Sequence, residues 1–234
     1  MATAVKTSGD AQAITIWQQV SYGTEYPEQD LVPERYRVRS RGFEGPVDTV
    51  STMTGVILAV RAALWLPDPE SPEDAPLTQC ELVAPGVGAW RVNPADPETQ
   101  IELRECATCP MNKWGSAGDG RKGKACREKR LLLVLRDGEA IPVVVVAPPT
   151  SILSVARWET RAAARRLRLG QIHIKLSTQP QKHGQEEWGV LQIEELGLLD
   201  DAAQDVLVTR LLNGPLAEMY QKWTAPPVQQ DAAM

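Results

Sequence analysis

The sequence predicts a mainly β or α+β fold built on an antiparallel barrel. Short apolar runs bounded by Gly, Pro and Asp recur along the chain, as in proteins with many short strands. An Asp-Gly pair separates two of these runs, which indicates a tight hairpin. One helical segment lies between the third and fourth core strands. Five or more antiparallel strands with one such helix are typical of an OB-type barrel, and a generic α+β fold is the alternative.

The first long strand is predicted at residues 48–66. Val50–Thr54 is rich in β-formers, and Gly55–Leu66 is almost continuously apolar. A buried helix is the alternative, because Ala and Leu are frequent in this run. The β-branched cluster and the bounding Gly and Pro favour a strand. Two shorter strands are predicted at 77–84 and 86–92.

The clearest hairpin joins Leu131–Leu135 to Ile141–Ala147. The pair Asp137-Gly138 between them supplies the positive φ that a tight turn needs. A helix follows, with Thr150 or Ser151 as its N-cap. We expect it to reach about Leu169, because Gly170 is a helix stop signal.

A second strand pair is predicted at 171–178 and 187–194. The first of these alternates strictly, which would turn its Ile and Leu side chains inward and leave His173 exposed. The last helix is predicted at 200–223, with Asp200 capping its start. In all, we expect one OB-like domain over residues 13–223, between a disordered tail at 1–12 and a flexible tail at 224–234.

The overall charge excludes a generally basic nucleic-acid binder. The net charge is -5 and the isoelectric point about 5.2, so any contact with a polyanion must come from local charge segregation. No run of 18 apolar residues and no apolar signal core is found, which predicts a cytoplasmic protein that does not enter a membrane.

Four cysteines predict a metal-binding insertion at about residues 80–130. Their spacing is Cys80-x25-Cys106-x2-Cys109-x16-Cys126, and a Cys-x2-Cys turn places two thiolates on one metal. Zinc accepts four sulfur ligands and would act as a structural cofactor. An iron-sulfur cluster is the first alternative and free or redox thiols are the second, since Cys109-Pro110 also fits a cluster ligand.

The cysteine insertion is basic although the chain is acidic. Residues 104–130 hold eight cations and three anions, a net charge of +5, and four glycines that allow close approach of backbone to phosphate. Trp114 either stacks on a base or packs against the cysteine knuckle. The predicted nucleic-acid-binding residues are Lys113, Trp114, Arg121, Lys122, Lys124, Arg127, Lys129 and Arg130.

A second basic patch lies on the predicted helix, at Arg161, Arg165, Arg166 and Arg168. Cations at a helix C-terminus are also favoured by the macrodipole alone. The chain has only two histidines and no paired carboxylates in a recognisable motif, so the sequence makes no case for an enzyme.

Three blocks carry a resemblance to a known group of proteins. Glu105–Ser116, Gly123–Cys126 and Ala147–Ser151 resemble the Cys-x2-Cys-Pro-x-Asn-x-aromatic-Gly-Ser block, the end of the Gly-Lys-Gly-Lys-x-Cys block and the Pro-Pro-Thr-Ser helix start of phage and mobile-element proteins. The resemblance covers roughly residues 80–195. The run Gly120–Lys124 departs by one residue from the usual form of the second block.

The resemblance implies a zinc-containing, OB-like single-stranded-DNA-binding protein of phage replication or recombination, acting in the host cytoplasm. Single-stranded DNA would be its main partner, with replication proteins and a second copy of the chain as further candidates. The alternative is a zinc-stabilised protein-interaction module, either a replication accessory or an anti-host factor. An iron-sulfur nucleic-acid enzyme is a third hypothesis.

Overall fold

The computed structural model describes residues 33–69, 77–84, 86–118, 123–213, 216–217 and 220–221. This part of the chain is mainly β, with eleven strands and two α-helices. The strands are β1 Arg35–Arg39, β2 Gly42–Glu44, β3 Thr49–Val50, β4 Met53–Pro67, β5 Thr78–Ala84, β6 Val87–Arg91, β7 Ile101–Glu105, β8 Arg127–Arg136, β9 Val143–Ala147, β10 Ile172–His183 and β11 Glu186–Leu198. The helices are α1 Ile152–Ala164 and α2 Asp201–Asn213, and single 3-10 turns form at Pro110–Asn112, Pro149–Ser151 and Leu169–Gln171. Both predicted tails, at 1–12 and 224–234, lie outside the described residues.

The chain divides into two compact units. Of the described residues, the first unit, here called the sheet unit, holds those of 33–61 and 130–221, and the second, the cysteine unit, holds those of 62–129. Strands β4 and β8 each contribute residues to both units. The predicted metal-binding insertion at 80–130 thus falls almost entirely in the cysteine unit.

The strands of the sheet unit form an open, mixed sheet with the hydrogen-bonded order β3-β2-β1-β9-β8-β4-β10-β11. The prediction of a purely antiparallel arrangement is wrong, because β1 pairs in parallel with β9. The two strands are more than a hundred residues apart in sequence, so no tight turn forces them to run in opposite directions. Among the described residues no hydrogen-bonded ladder joins β11 back to β3.

The first half of β4 and the second half of β8 are buried on both faces. Leu132 and Val134 of β8 pack with Trp158 of α1, whereas Leu133 and Leu135 pack on the other face with Leu207 of α2. A strand covered on both faces needs apolar side chains at every position, which explains the continuous apolar runs in the sequence. The predicted strand at 48–66 and the predicted hairpin at 131–147 are both confirmed.

Helix α1 ends earlier than predicted. Its C-cap is Arg165, and Arg166 adopts a left-handed conformation with φ 58°, so Gly170 is not the stop signal. The NH of Leu167 donates to the Ala162 carbonyl and the NH of Arg166 to the Ala163 carbonyl, which is the hydrogen-bond pattern of a Schellman motif. The predicted N-cap Ser151 makes no capping hydrogen bond. Its buried hydroxyl instead accepts a hydrogen bond from the Leu191 NH at 2.8 Å.

Of the remaining predicted strands, β10 and β11 are longer than predicted, whereas β5 and β6 are slightly shorter. Strands β10 and β11 pair along their whole length, around a turn in which Gly184 has φ 61°. The carboxylate of Asp200 accepts a hydrogen bond from the Ala203 NH and caps α2, as predicted. Helix α2 itself ends at Asn213 in the described part of the chain.

Candidate metal centre and nucleic-acid interface

The cysteine unit brings its four thiols to one small cavity. Strands β5, β6 and β7 form an antiparallel meander on the end of β4. Cys80 lies on β5, opposite Leu66 of β4 and Trp90 of β6. All four cysteines, Cys80, Cys106, Cys109 and Cys126, line a cavity of about 20 Å³.

Backbone hydrogen bonds hold the other three cysteines in place. The Cys106 NH donates to the Gly86 carbonyl at 2.7 Å, directly after β7 ends. Cys109 is the N-cap of the 3-10 turn, whose proline stands at the first position. The Cys126 NH donates to the Met111 carbonyl at 2.9 Å, which returns the chain to the cavity before β8.

Gly88 on β6 leaves room for the sulfur atoms. A Cβ at this position would lie 2.8 Å from the Cys80 sulfur and 3.6 Å from the Cys106 sulfur. Any side chain here would therefore crowd the Cys80 sulfur and touch the Cys106 sulfur. The absence of a side chain and the set of four soft sulfur donors both fit a tetrahedral thiolate site of the kind that zinc occupies.

The cavity disfavours the thiolate forms of Cys80, Cys106 and Cys126. Burial, followed by the neighbouring Cys126, Cys106 and Cys109, raises the pKa of the Cys80 thiol to about 11, while Arg104 acts in the opposite direction. Burial likewise raises the pKa of Cys106 and of Cys126. Among the described residues no group of three or more Cys, His, Asp or Glu side chains has the arrangement of a metal site, so metal binding stays a prediction.

Two polar side chains organise the loop after the Cys-x2-Cys turn. The Asn112 amide donates to the Cys106 carbonyl at 2.8 Å, and its oxygen accepts from the Lys124 ammonium at 3.1 Å. The Ser116 hydroxyl lies 2.8 Å from the Met111 carbonyl and accepts from the Ala125 NH at 3.0 Å. Both residues belong to the Cys-x2-Cys-Pro-x-Asn-x-aromatic-Gly-Ser block, but the sequence alone assigned them no role. An amide and a hydroxyl between Cys109 and Cys126 were the available signal.

Trp114 projects from this loop into solvent. It is 76% exposed, so the alternative in which its indole packs against the knuckle is wrong. Lys113 beside it and Lys124 are also exposed. Gly115 NH donates to the Gly123 carbonyl at 2.7 Å and holds the two ends of the loop together. Arg121 and Lys122, two further predicted contacts, lie outside the described residues.

Two of the predicted nucleic-acid-binding cations lie on a tryptophan instead. The Lys129 ammonium is 4.0 Å from the centroid of the Trp65 ring, and the Arg127 guanidinium is 5.7 Å from it. The indole NH of Trp65 donates to the Thr78 hydroxyl at 3.0 Å. Arg104 stacks in the same way over Trp90, at 3.9 Å. These cation–π contacts were not foreseen, because they require strands that are neighbours only in the folded sheet.

Arg130, the last predicted contact, belongs to the sheet unit. There its charge acts on Glu159 of α1, whose pKa is raised by burial and lowered by Arg130. The expectation that His173 is exposed and without a partner is wrong. Its imidazole is largely buried and lies 3.0 Å from the Asp137 carboxylate, in the hairpin turn that follows β8.

In the part of the chain that the structure describes, no helix has the length and apolar character needed to cross a bilayer. Comparison with known proteins finds no counterpart: no protein family, no curated protein and no solved structure matches this chain. The functional argument therefore depends on the residues themselves.

Proposed function

We propose that this protein binds single-stranded DNA through a loop that is anchored by a structural metal ion. The observation that carries the proposal is the exposed indole of Trp114, which follows the exposed Lys113 in a loop that a hydrogen bond from Gly115 to Gly123 closes next to the exposed Lys124. Burying a tryptophan side chain stabilises a fold because apolar surface leaves water, and an exposed tryptophan does not make this contribution. An aromatic ring next to cations is the combination that stacks a base and neutralises its phosphate.

The four thiols would hold the metal, for which zinc is the best fit. A bound divalent cation would stabilise the thiolate forms that the cavity otherwise disfavours. It would also supply folding energy to a unit with few buried apolar side chains. The metal takes no part in chemistry in this proposal. The hydrogen bonds of Asn112 and Ser116 would connect the cysteine segment to the loop that carries Trp114 and so fix the position of this loop.

The open sheet is consistent with an OB-like unit in which β11 approaches β1. A methyl group at Gly189 of β11 would collide with the Arg39 carbonyl oxygen of β1, and the Thr178 hydroxyl donates to the Ser40 carbonyl at 3.2 Å. We propose that this unit is the scaffold of a single-strand-binding protein of phage replication or recombination in the host cytoplasm, where replication proteins would be further partners.

Titration with oligo-dT tests the proposal through Trp114. Wild-type protein should show quenched tryptophan emission at low salt. Trp114→Leu should lose most of the quenching and bind more weakly by about 1–3 kcal/mol, roughly 5- to 150-fold. Trp114→Phe keeps an aromatic face and should retain more affinity than Trp114→Leu. Wild-type protein that neither quenches nor retards the oligonucleotide would disprove DNA binding.

A protein-interaction module is the second candidate function. Exposed apolar side chains on the cysteine unit favour it: Leu103 is 66% exposed, Ile101 53% and Val83 42%. Leu103→Ser should leave oligo-dT binding unchanged under the first proposal, and it should weaken capture of a protein partner under the second. Elemental analysis separates zinc from an iron-sulfur cluster, which would also give a broad visible absorption band.

A further inference from the structure

Helix α1 carries a row of arginines on one flank. Arg157, Arg161 and Arg165 follow each other at intervals of four residues, and all three are exposed. Successive members rise by roughly 6 Å along the helix axis and stay on nearly the same side. The buried residues of the helix, Val155 and Trp158, face the core instead. The row is therefore a continuous strip of positive charge on the sheet unit.

Acidic side chains are nearly absent from this strip. The only carboxylate on the helix, Glu159, lies roughly 160° around the axis from both Arg157 and Arg161. The elements packed against the helix contribute Glu195 of β11, which forms an ion pair with Arg165. No ion pair of the described residues involves Arg157 or Arg161. The strip keeps a net positive charge in a chain whose net charge is -5.

The end of the helix adds another cation at a conformational cost. Arg166 occupies the left-handed position of the Schellman motif, and it is the one non-glycine residue with positive φ in the described part of the chain. Glycine would take this position without strain, whereas a residue with a Cβ costs about 1 kcal/mol or more. Arg166 is exposed, so packing against the core does not explain why an arginine stands at this position.

Next to the strip lies an open depression of about 530 Å³. Arg161, Ala164 and Arg165 form one side of it, and Ile193 and Glu195 form the other. The small side chain of Ala164 leaves the two neighbouring guanidinium groups accessible from this side. An arginine pair beside a shallow depression offers several N–H donors to a phosphate group.

We infer that the α1 strip, Arg157, Arg161 and Arg165, binds the phosphate backbone of a nucleic-acid strand. The site lies outside the cysteine unit. It would recognise the phosphates by charge alone, since no exposed aromatic side chain stands on this face of the helix. The inference depends on the proposed nucleic-acid binding, but it names a separate surface. Its contribution should consist of counterion release and should fall as salt rises.

The salt dependence of oligo-dT binding tests this inference. The variant Arg157→Gln/Arg161→Gln/Arg165→Gln should reduce the slope of log affinity against log salt by about 2, at about 0.7 per lost phosphate contact. The affinity at about 50 mM salt should fall by at least tenfold. Glu195→Gln removes the one acid of the strip and should tighten binding. Thermal melting of each variant checks that the fold is intact.

The matched control removes the same charge from another face of the same unit. Arg35, Arg37 and Arg39 are exposed on β1, where Glu44 of β2 lies opposite Arg37 and pairs with Arg39. Replacing these three with Gln should leave the salt slope unchanged. An equal loss in both triple variants, or none in the α1 variant, would refute the inference. If Trp114→Leu has no effect while the α1 variant loses affinity, the inference stands and the Trp114 site fails; a wild type that does not bind overturns both.

Discussion

The two units of this chain are stabilised by different means. The sheet unit contains both extensive clusters of buried apolar side chains in the described residues, one on each face of β4 and β8. The buried apolar side chains of the cysteine unit are Leu66 and Ala89 in the same description. Its other contacts are four thiols around one cavity, polar bonds from Asn112 and Ser116 in the loop, and cations over tryptophan rings. Within the described residues, the sheet unit has an extensive apolar core and the cysteine unit does not.

Because of this difference, we expect the two units to respond differently when the metal is removed or the apolar core is mutated. Burial of apolar area stabilises the sheet unit without a cofactor. The cysteine unit resembles small metal-dependent folds, in which the free energy of metal binding is the folding free energy. The functional consequence is that the loop with Trp114 would be ordered only when the metal is bound.

The largest effect is expected from removing the metal. Chelation, or Cys109→Ser, should abolish hydrogen-exchange protection in β5–β7, because structural zinc sites contribute on the order of 10 kcal/mol. Strands β9 and β10 of the sheet unit should keep their protection. Thr108→Ser, next to the ligand and exposed, is the control. Equal loss of protection in both units, or purified protein without metal, would contradict the comparison.

The next largest effect concerns the core of the sheet unit. Trp158 on α1 is fully buried, and Trp158→Ala should lower the free energy of unfolding by about 3–5 kcal/mol. Leu153→Ala on the same helix should change it by less than about 0.5 kcal/mol, since Leu153 is 58% exposed. Urea denaturation followed by circular dichroism measures both. Metal affinity should be the same in both variants; a loss in Trp158→Ala alone would show that the units depend on each other.

Alkaline pH should destabilise the sheet unit through Tyr36. Burial, followed by the hydrogen bond from its hydroxyl to Asp48 at 2.7 Å, raises the pKa of Tyr36 to about 12. The folded state therefore favours the protonated phenol. Its contribution to stability is complete below about pH 10 and is lost as the pH rises from 10 to 12.

The comparison of wild type with Tyr36→Phe isolates this contribution. Wild type should lose about 2–3 kcal/mol more than Tyr36→Phe between pH 9.5 and pH 12, since two pKa units correspond to about 2.7 kcal/mol. Urea midpoints at the two pH values measure the difference. Parallel losses in the two proteins would show that Tyr36 is not the responsible group.

A smaller effect is expected from crowding the thiols. Gly88→Ala places a methyl group 2.8 Å from the Cys80 sulfur and should weaken metal binding by about 1–3 kcal/mol. Competition with a chromogenic chelator measures the affinity. Gly197→Ala is the control, because an added Cβ there meets no atom within 4 Å. Unchanged metal affinity in Gly88→Ala would indicate that the thiols do not share one ion.

The smallest effect concerns the cations on Trp65. Lys129→Gln removes the closest one and should cost about 0.5–1 kcal/mol of stability in the cysteine unit. Lys182→Gln, at the exposed end of β10, makes the same change in charge and is the control. The near-ultraviolet circular dichroism of the indoles should change only in Lys129→Gln. Identical spectra would show that the contact is not maintained in solution.

Local patterns in the sequence were enough to predict most elements. The hairpin β8–β9 follows from Asp137-Gly138 between two apolar runs, and the pair β10–β11 follows from strict alternation. The grouping of the cysteines follows from the short Cys-x2-Cys spacing. These signals act over a few residues, so they do not depend on what the rest of the chain does.

The end of α1 shows where local patterns fail. Gly170 has the residue type of a stop signal, yet the helix ends at Arg165 with Arg166 in the left-handed region. Packing of Leu167 and Leu169 against the core takes the chain away from the helix axis before the glycine is reached. A tertiary contact overrode the intrinsic preference of the backbone.

The sequence by itself determined strands β4 to β6 and β8 to β11, the helix between them and the four-cysteine pattern, because backbone preference and side-chain periodicity are local properties. Only the tertiary structure decided that β1 runs parallel to β9, that His173 meets Asp137, and that Trp114 stays in solvent while Trp65 and Trp90 are covered by cations. Each of these outcomes depends on which segments, distant in sequence, pack together in the folded protein. Many residues of a unit contribute to the free energy of that packing. The exposure of Trp114 is thus the observation that turns a four-cysteine motif into a proposed nucleic-acid site.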